Sequence, residues 1–212
     1  MLFTEFIKYI PKIVNQQLPA LTAHAKMAPL ERLPTLDPEY YKANNPRRSA
    51  VMMLFYPKNE QAHLILIKRN AYPGIHSSQI SFPGGKAEPE DGSLAETAVR
   101  ETFEEVGVAP DDIDVVMPFT EIYIPPSNFL VAPFLGLSLN EPVFKPNPDE
   151  VVEIIQLSLD VFLDDSIVIE TDMQTSYSQM IKVPAFKVDE HIVWGATAMI
   201  LSELKETIKS VL

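Results

Sequence analysis

The 212-residue sequence contains no cysteine, only seven glycines and few basic residues. Without cysteine the chain can form neither a disulfide nor a thiolate zinc site, and it has no thiol nucleophile. Lysine and arginine total 17 against 29 aspartates and glutamates, so the formal net charge is −12. This negative balance argues against nucleic acid or a membrane surface as a partner. A polyanionic ligand must therefore be held by local positive charge or by metal ions.

The sequence also lacks a long apolar run. Its longest one, residues 51–56, is far shorter than the roughly 18–20 residues that cross a bilayer. The N-terminal residues lack the basic start of a signal peptide, so we expect no targeting segment and a cytoplasmic protein. The length and the 46% hydrophobic content are typical of one globular domain with its own core.

Hydrophobic spacing predicts a mixed β-sheet with few helices. Apolar residues at intervals of three and four within residues 2–14 predict a short amphipathic helix limited by Pro11. Five prolines between residues 18 and 46 predict an irregular but ordered arm, so we divide the chain into this N-terminal part, residues 1–46, and a domain of residues 47–212. Strands are expected at residues 50–56, 63–68, 114–117, 121–124, 130–139, 151–157, 167–170, 180–186 and 191–194, and helices at 93–106 and 196–211.

A glycine-containing segment precedes the first of these long helices. The composition of residues 84–92 predicts a loop, in which the pair Gly84-Gly85 allows another group to approach the backbone closely. Ser93 and Glu96 form a capping-box pattern, which predicts that the helix begins there. Gly107 is typical of the residue that ends a helix in a left-handed conformation.

The predicted helix has one apolar and one acidic face. At helical spacing the apolar face consists of Ala95, Val99, Thr102, Phe103 and Val106. Glu101, Glu104 and Glu105 cluster on the other face, where we expect no basic residue at helical spacing to relieve their repulsion. Such a face is either simply solvated or a site for a hard cation such as Mg²⁺ or Mn²⁺, which takes oxygen ligands and shares its remaining positions with substrate phosphates.

Residues Gly85 to Val108 resemble the Nudix box, whose usual form is G-x5-E-x7-R-E-U-x-E-E-x-G-U, with U an aliphatic residue. The second half of the box matches position by position at Arg100, Glu101, Glu104, Glu105, Gly107 and Val108. In the first half, Asp91 stands at the glutamate position and eight residues separate it from Arg100. This expansion is similar to the coenzyme A pyrophosphatase branch of the family.

A second segment resembles a signature of the same branch. It runs from His76 to Gly85 and is preceded by Lys68 and Arg69. The resemblance implies a Nudix-type α/β/α sandwich around a mixed sheet, formed by residues 47–212. It also implies a hydrolase that cleaves coenzyme A or acyl-CoA to 4′-phosphopantetheine and adenosine 3′,5′-bisphosphate. Another nucleoside diphosphate derivative such as ADP-ribose is the alternative substrate, and a non-catalytic nucleotide-binding module is a less favoured reading.

The resemblance also implies roles for single residues. Glu101 and Glu105 would be the principal ligands of Mg²⁺ or Mn²⁺, and Glu104 either a third ligand or the base that acts on the attacking water. Arg100 would pair with a carboxylate of the box. A base outside the box would be Glu150 or Glu153, although a solvated turn explains these acids equally well.

The substrate would be a small nucleotide derivative. Lys68, Arg69 and Lys86 could meet its phosphates, since the net charge otherwise repels them. His76 and Gln79 could contact it on the approach to Gly84 and Gly85, or serve only as structural hydrogen-bonding groups. The N-terminal helix and arm could form a homodimer contact or cover the sheet, and the sequence leaves both open.

Overall fold

The computed structural model describes residues 1–70, 79–174 and 180–212. The helices in chain order are α1 Phe3–Phe6, α2 Ile10–Val14, α3 Leu21–Lys26, α4 Pro38–Lys42, α5 Leu94–Val106, α6 Leu159–Leu163 and α7 Gly195–Lys209. The strands are β1 Arg47–Lys58, β2 Gln61–Arg69, β3 Ile80–Ser81, β4 Gly84–Lys86, β5 Asp114–Pro118, β6 Ile122–Ile124, β7 Phe129–Leu137, β8 Val151–Ser158, β9 Val168–Gln174, β10 Met180–Val188 and β11 His191–Trp194.

A mixed sheet forms the centre of the molecule. Its strand order is β3-β2-β1-β7-β5, while β4 pairs with β1, β6 with β7 and β8 with β2. Strands β1 and β7 run parallel, and the other pairs in the described part of this sheet are antiparallel. Two strands pair with the same edge of β1: β2 pairs with residues 55–58, and β4 pairs with residues 49–51. The segment just before α5 is thereby held beside the middle of the sheet.

Both faces of this sheet are covered by hydrophobic cores, and the side chains of β1 point alternately into one and the other. Met52 and Leu54 point to the core beneath α5, whereas Met53 and Phe55 point to the core that contains α7 and the N-terminal helices. Such alternation follows from the two-residue repeat of a strand, and apolar residues on both sides are typical of a strand buried between two layers. The fold is therefore the expected α/β sandwich with a mixed sheet.

The remaining elements surround this centre. Strands β9, β10 and β11 form a separate antiparallel sheet. The N-terminal helices continue past Pro11, contrary to the expectation, because this proline occupies the first turn of α2, where no helical N–H bond is lost. Phe3, Phe6 and Ile13 are buried, as their spacing predicts. Within the described residues, no helix combines the length and apolar character needed to cross a bilayer.

Two further expectations near α5 are wrong. Gly84–Lys86 is a short strand rather than a loop, because β1 offers it the hydrogen-bonding edge that β2 leaves free. Phe103 is 50% exposed, although helical spacing predicts that it packs against the sheet. The face of α5 that packs against the sheet therefore includes a carboxylate. Its buried residues are Thr97, Ala98, Thr102, Glu105 and Val106.

Candidate active site

Three of the four glutamates of helix α5 lie close together in sequence but at very different depths. Its start is fixed by the Ser93 side chain, which accepts a hydrogen bond from the Glu96 N–H, and its end by Gly107 at φ 76°. The side chain of Glu105 is 1% exposed, that of Glu101 14% and that of Glu104 48%. The single acidic face expected from helical spacing is therefore divided, and one carboxylate lies inside the protein.

Glu105 lies between β4 and the end of β2. The backbone N–H of Gly84 donates to Glu105 Oε2 at 2.8 Å, and the Arg69 guanidinium donates to Oε1 at 3.1 Å. Burial raises the pKa of Glu105 to about 7, although Arg69 and the Gly84 N–H oppose this shift. The carboxyl is therefore held in a defined position and gains or loses its proton near neutral pH.

Glu101 lies against the second glycine of the pair. A Cβ atom at Gly85 would lie 2.4 Å from the carboxylate atoms of Glu101, so only glycine leaves this space to the carboxylate. Burial raises the pKa of Glu101, while Arg100 lowers it. The close approach expected of the glycine pair is thus made by the carboxylates of α5.

Arg100 connects the surrounding acids. Its guanidinium contacts Asp91 at 2.9 and 3.0 Å, Glu101 at 3.0 Å and Glu104 at 3.0 Å, and it donates to the Lys86 carbonyl at 3.1 Å. The expectation that no basic residue relieves the acidic face is therefore wrong, because Arg100 precedes Glu104 by four residues and reaches it. The hydrogen bonds from Arg100 hold the pKa of Asp91 well below its usual range.

The two candidate bases outside the helix differ in position. Glu150 accepts a hydrogen bond from Asn147 at 3.2 Å, and its charge adds to the effect of burial in raising the pKa of Glu101 and Glu105. Glu153 instead contacts His191 Nε2 at 3.2 Å, in a group that also includes Glu190. Glu150 therefore lies close enough for its charge to act on Glu101 and Glu105, whereas Glu153 lies against His191.

Most of the predicted substrate residues line one cavity of about 670 Å³. They are Arg69, Gln79, Gly84, Gly85 and Lys86. Lys68 is not among the described lining residues; it lies in β2, paired with Ile80 and Glu153. His76 lies outside the described residues. The Arg69 guanidinium donates a hydrogen bond to Glu105. The sequence does not predict this contact, because 36 positions separate the two residues.

The carboxylates of α5 have the chemistry of ligands for a divalent metal ion. Glu101, Glu104 and Glu105 supply the oxygen donors that a hard cation prefers, and they come from adjacent turns of one helix. The missing side chain at Gly85 leaves room for the Glu101 carboxylate beside β4. Burial raises the pKa values of Glu101 and Glu105. A cation bound beside them would oppose this shift, because it would stabilise their ionised forms.

The layered fold and the capped, carboxylate-bearing helix define the protein as one of the Nudix type. The family model described as NUDIX domain matches residues 46–172. The chain is 35% identical over 143 residues to the uncharacterized Nudix hydrolase NudL of Pectobacterium atrosepticum, covering 66% of this chain and 72% of that protein. It is 33% identical over 181 residues to Nudix hydrolase 15, mitochondrial, of Arabidopsis thaliana, covering 82% of this chain and 61% of that longer protein.

A solved structure shares the fold. The Nudix hydrolase RenU of M. smegmatis superposes with a TM-score of 0.52 at 15% identity, covering 79% of this chain and 88% of that one. The chain belongs to the NUDIX domain family and is a Nudix hydrolase.

Proposed function

We propose that the protein is a divalent-metal-dependent pyrophosphohydrolase that cleaves coenzyme A or acyl-CoA. Water would attack one phosphorus of the diphosphate and break the P–O–P bond, which yields 4′-phosphopantetheine and adenosine 3′,5′-bisphosphate. The observation that carries the proposal is the position of the carboxylates of α5 directly behind Gly84 and Gly85, which line the large cavity. The coenzyme A assignment is supported by the sequence signature before Gly85 and by the expanded box.

Each residue near the carboxylates has a proposed role. Glu101 and Glu105 would hold Mg²⁺ or Mn²⁺, which when bound neutralises phosphoryl oxygens and lowers the pKa of a coordinated water. Glu104 would be a third ligand or the base. Arg100 keeps Glu101 and Glu104 in place through its contacts at 3.0 Å. Among the bases outside the helix we favour Glu150 over Glu153, because its charge acts on the two buried carboxylates.

Positive charge for the phosphates would come from the cavity wall. Lys86 lines the cavity with an exposed side chain, whereas Arg69 would act mainly by holding Glu105. Gln79 lies in the same wall, and the backbone of Gly84 and Gly85 allows close approach of the substrate. Roles for Lys68 and His76 stay predictions from the sequence.

The domain division, the cellular location and the oligomeric state are also matters of proposal. Residues 1–46 would form one unit with the domain of residues 47–212, since the Phe3 N–H donates to the Glu60 carbonyl at 2.8 Å and Leu2 forms a β-bridge with Gln61. A cytoplasmic location is still expected from the sequence alone, and the sequence leaves a homodimer open as one of two roles for residues 1–46. Size-exclusion chromatography with light scattering would test the dimer.

Mass spectrometry of the reaction products tests the function. The protein is incubated with Mg²⁺ or Mn²⁺ and equal amounts of coenzyme A, ADP-ribose and diadenosine polyphosphates. We expect selective loss of coenzyme A, inactivity of Glu105→Gln and full activity of Glu170→Gln, which removes an exposed carboxylate on β9. Turnover of ADP-ribose or a dinucleotide alone would replace the proposed substrate, and equal activity of Glu105→Gln would refute the assigned site.

A further inference from the structure

The connection between β7 and β8 ends in a turn at residues 148–150, directly before β8. The Asn147 N–H donates to the Glu105 carbonyl at 2.9 Å, which attaches this turn to the end of α5. The Asn147 carbonyl accepts hydrogen bonds from the N–H groups of Glu150, at 3.1 Å, and Val151, at 2.8 Å. The backbone of Asn147 therefore connects the turn to the helix that carries the carboxylates.

The side-chain amide of Asn147 makes two contacts that differ in kind. Its Oδ1 accepts a hydrogen bond from the Asp149 N–H at 3.1 Å. A bond from the backbone two residues on to an asparagine oxygen stabilises the turn itself. Its Nδ2 donates to Glu150 Oε1 at 3.2 Å, and thus to the end of an exposed side chain. One half of the amide therefore shapes the turn, and the other half orients the Glu150 carboxylate.

The end of β2 also holds the backbone of this turn. The Asn70 N–H donates to the Glu150 carbonyl at 2.7 Å. The Asn70 Nδ2 donates to two further carbonyls of the turn, at 3.2 and 3.3 Å. Asn70 directly follows Arg69, whose guanidinium contacts Glu105. The backbone of Glu150 is thereby fixed relative to the surroundings of Glu105, and the freedom that remains lies in the Glu150 side chain.

The two oxygens of the Glu150 carboxylate have different surroundings. Oε1 accepts the hydrogen bond from Asn147, whereas Oε2 accepts none from residues 1–70, 79–174 and 180–212. The charge of Glu150 acts on Glu101 and Glu105. A general base must lie within hydrogen-bond reach of the proton that it removes, so its position matters as much as its basicity. A carboxylate held through one oxygen keeps the other available for such a proton.

We propose that Asn147 is a positioning residue for the hydrolysis, and that its Nδ2 holds Glu150 so that Oε2 takes one proton from the attacking water. The oxygen of that water forms the new bond to phosphorus, and the bridging P–O bond breaks with its electron pair on the leaving phosphate. The inference rests on the proposed function and on Glu150 as its base. It adds a residue that lies outside the segment from Gly85 to Val108.

Four variants separate the two contacts of the amide. Asn147→Asp keeps an oxygen for the Asp149 N–H but replaces the donor by a second oxygen, which repels the ionised Glu150. Glu150→Gln removes the base. The double variant Asn147→Asp/Glu150→Gln exchanges donor and acceptor, so the contact can form again in reverse. The control, Asn140→Asp, makes the same chemical change at an exposed position of the same connection.

Three quantities are measured for each variant: kcat and KM with the substrate that the wild type cleaves, the affinity for Mn²⁺, and the Tm. Asn147→Asp should lower kcat at least about tenfold, while KM and the Mn²⁺ affinity change less than about twofold. Its Tm should fall by about 1–3 °C, and the double variant should regain that loss. Glu150→Gln should lower kcat at least about hundredfold, with no further loss in the double variant. Asn140→Asp should match the wild type throughout.

Several results would overturn the inference. Unchanged kcat in Asn147→Asp would leave Glu150 without need of the amide, and unchanged kcat in Glu150→Gln would remove the base. A further loss of kcat in the double variant, or a matching loss of Mn²⁺ affinity in Asn147→Asp, would assign Asn147 to the shape of the turn alone.

Failure of the proposed function looks different. If coenzyme A stays intact and another component of the mixture is cleaved, the substrate is replaced, and the same variants test Asn147 with that component. A wild type that cleaves nothing refutes the proposed function and this inference together, even if the double variant regains its Tm. Circular dichroism confirms that each variant is folded before rates are compared.

Discussion

Glu105 is a carboxyl group whose surroundings favour its protonated form. In the metal-free protein burial raises its pKa from 4.5 to about 7. The folded state therefore binds more protons than the unfolded state between these two values, so stability falls as the pH rises through that interval. In its proposed role as a metal ligand Glu105 would be ionised, so a bound cation would compete with this proton.

Chemical denaturation in EDTA measures the effect of that proton. The free energy of unfolding of the wild type should fall by about 3 kcal/mol between pH 4 and pH 8 relative to Glu105→Gln, which has no proton to lose at this position. Addition of Mg²⁺ at pH 8 should stabilise the wild type and leave Glu105→Gln unchanged. Parallel pH profiles of the two proteins would contradict the position of Glu105 described above.

The contribution of Asp91 to the free energy of unfolding has the opposite pH dependence to that of Glu105. Its side chain is 7% exposed and accepts hydrogen bonds from Arg100, from the Glu88 N–H and from the Thr97 hydroxyl. Hydrogen bonds from Arg100 lower its pKa, so the stability it contributes is present above the ordinary carboxyl pKa and is lost as the pH falls through the depressed value. Asp91→Asn should cost about 2 kcal/mol at pH 7, and the difference should narrow below about pH 4. Urea denaturation at pH 7 and pH 3 measures this, and a constant difference would refute it.

At the scale of single elements, β4 holds two glycines that serve different purposes. A Cβ at Gly84 would lie 2.3 Å from the Ala50 carbonyl and 2.6 Å from Val51 Cα, and φ there is +152°, so the clash is with backbone that cannot move aside. At Gly85 the three atoms nearest to such a Cβ all belong to the end of the Glu101 side chain, which can move. The first glycine is therefore required for folding, and the second for the position of a carboxylate.

The two alanine variants should separate these purposes. Gly84→Ala should lower the free energy of unfolding by more than about 3 kcal/mol, because backbone strain adds to steric overlap. Gly85→Ala should fold with a loss below about 1.5 kcal/mol but bind Mn²⁺ at least about tenfold more weakly, because Glu101 is displaced. Thermal unfolding and Mn²⁺ titration by electron paramagnetic resonance measure both effects. Equal loss of stability in the two variants would contradict this division.

Elements specified by nearby residues could be predicted from the sequence. The start of α5 at Ser93 and its end at Gly107 depend on neighbours in the chain, and both are confirmed. Strand β4 could not be predicted, because Gly84–Lys86 pairs with β1 about 35 positions away. The burial of Glu105 has the same cause, since its partners Arg69 and Gly84 come from other elements and helical spacing alone places it beside Glu104.

At the scale of the whole molecule, hydrogen bonds to one buried carboxylate of the C-terminal helix hold the arm against it. Glu203 of α7 is fully buried and accepts hydrogen bonds from His24 Nε2 at 3.2 Å, from the Thr120 hydroxyl at 2.5 Å and from the Ala20 N–H at 3.0 Å. Burial by itself would raise the pKa of Glu203, but the bonds from His24 and Thr120 outweigh it and the pKa is lowered. One carboxylate thus joins the arm, α7 and the segment between β5 and β6.

Helices α3 and α7 are also joined by an ion pair at the surface, which can be compared with the buried contact between His24 and Glu203. Lys26 of α3 contacts Glu206 of α7 at 2.6 Å, with side-chain exposures of 63% and 31%. Glu203→Ala should cost about 3–5 kcal/mol, because it leaves the donors of three residues, Ala20, His24 and Thr120, unsatisfied. Glu206→Ala should cost less than about 1 kcal/mol, because water replaces the lost contact.

Urea denaturation of both variants at pH 7 measures the difference, and its pH dependence gives a second check. Because the pKa of Glu203 is lowered, its contribution should persist down to the ordinary carboxyl range and decline only in more acidic solution. If the two variants lost the same stability, the buried carboxylate would not be what holds the arm against the helix.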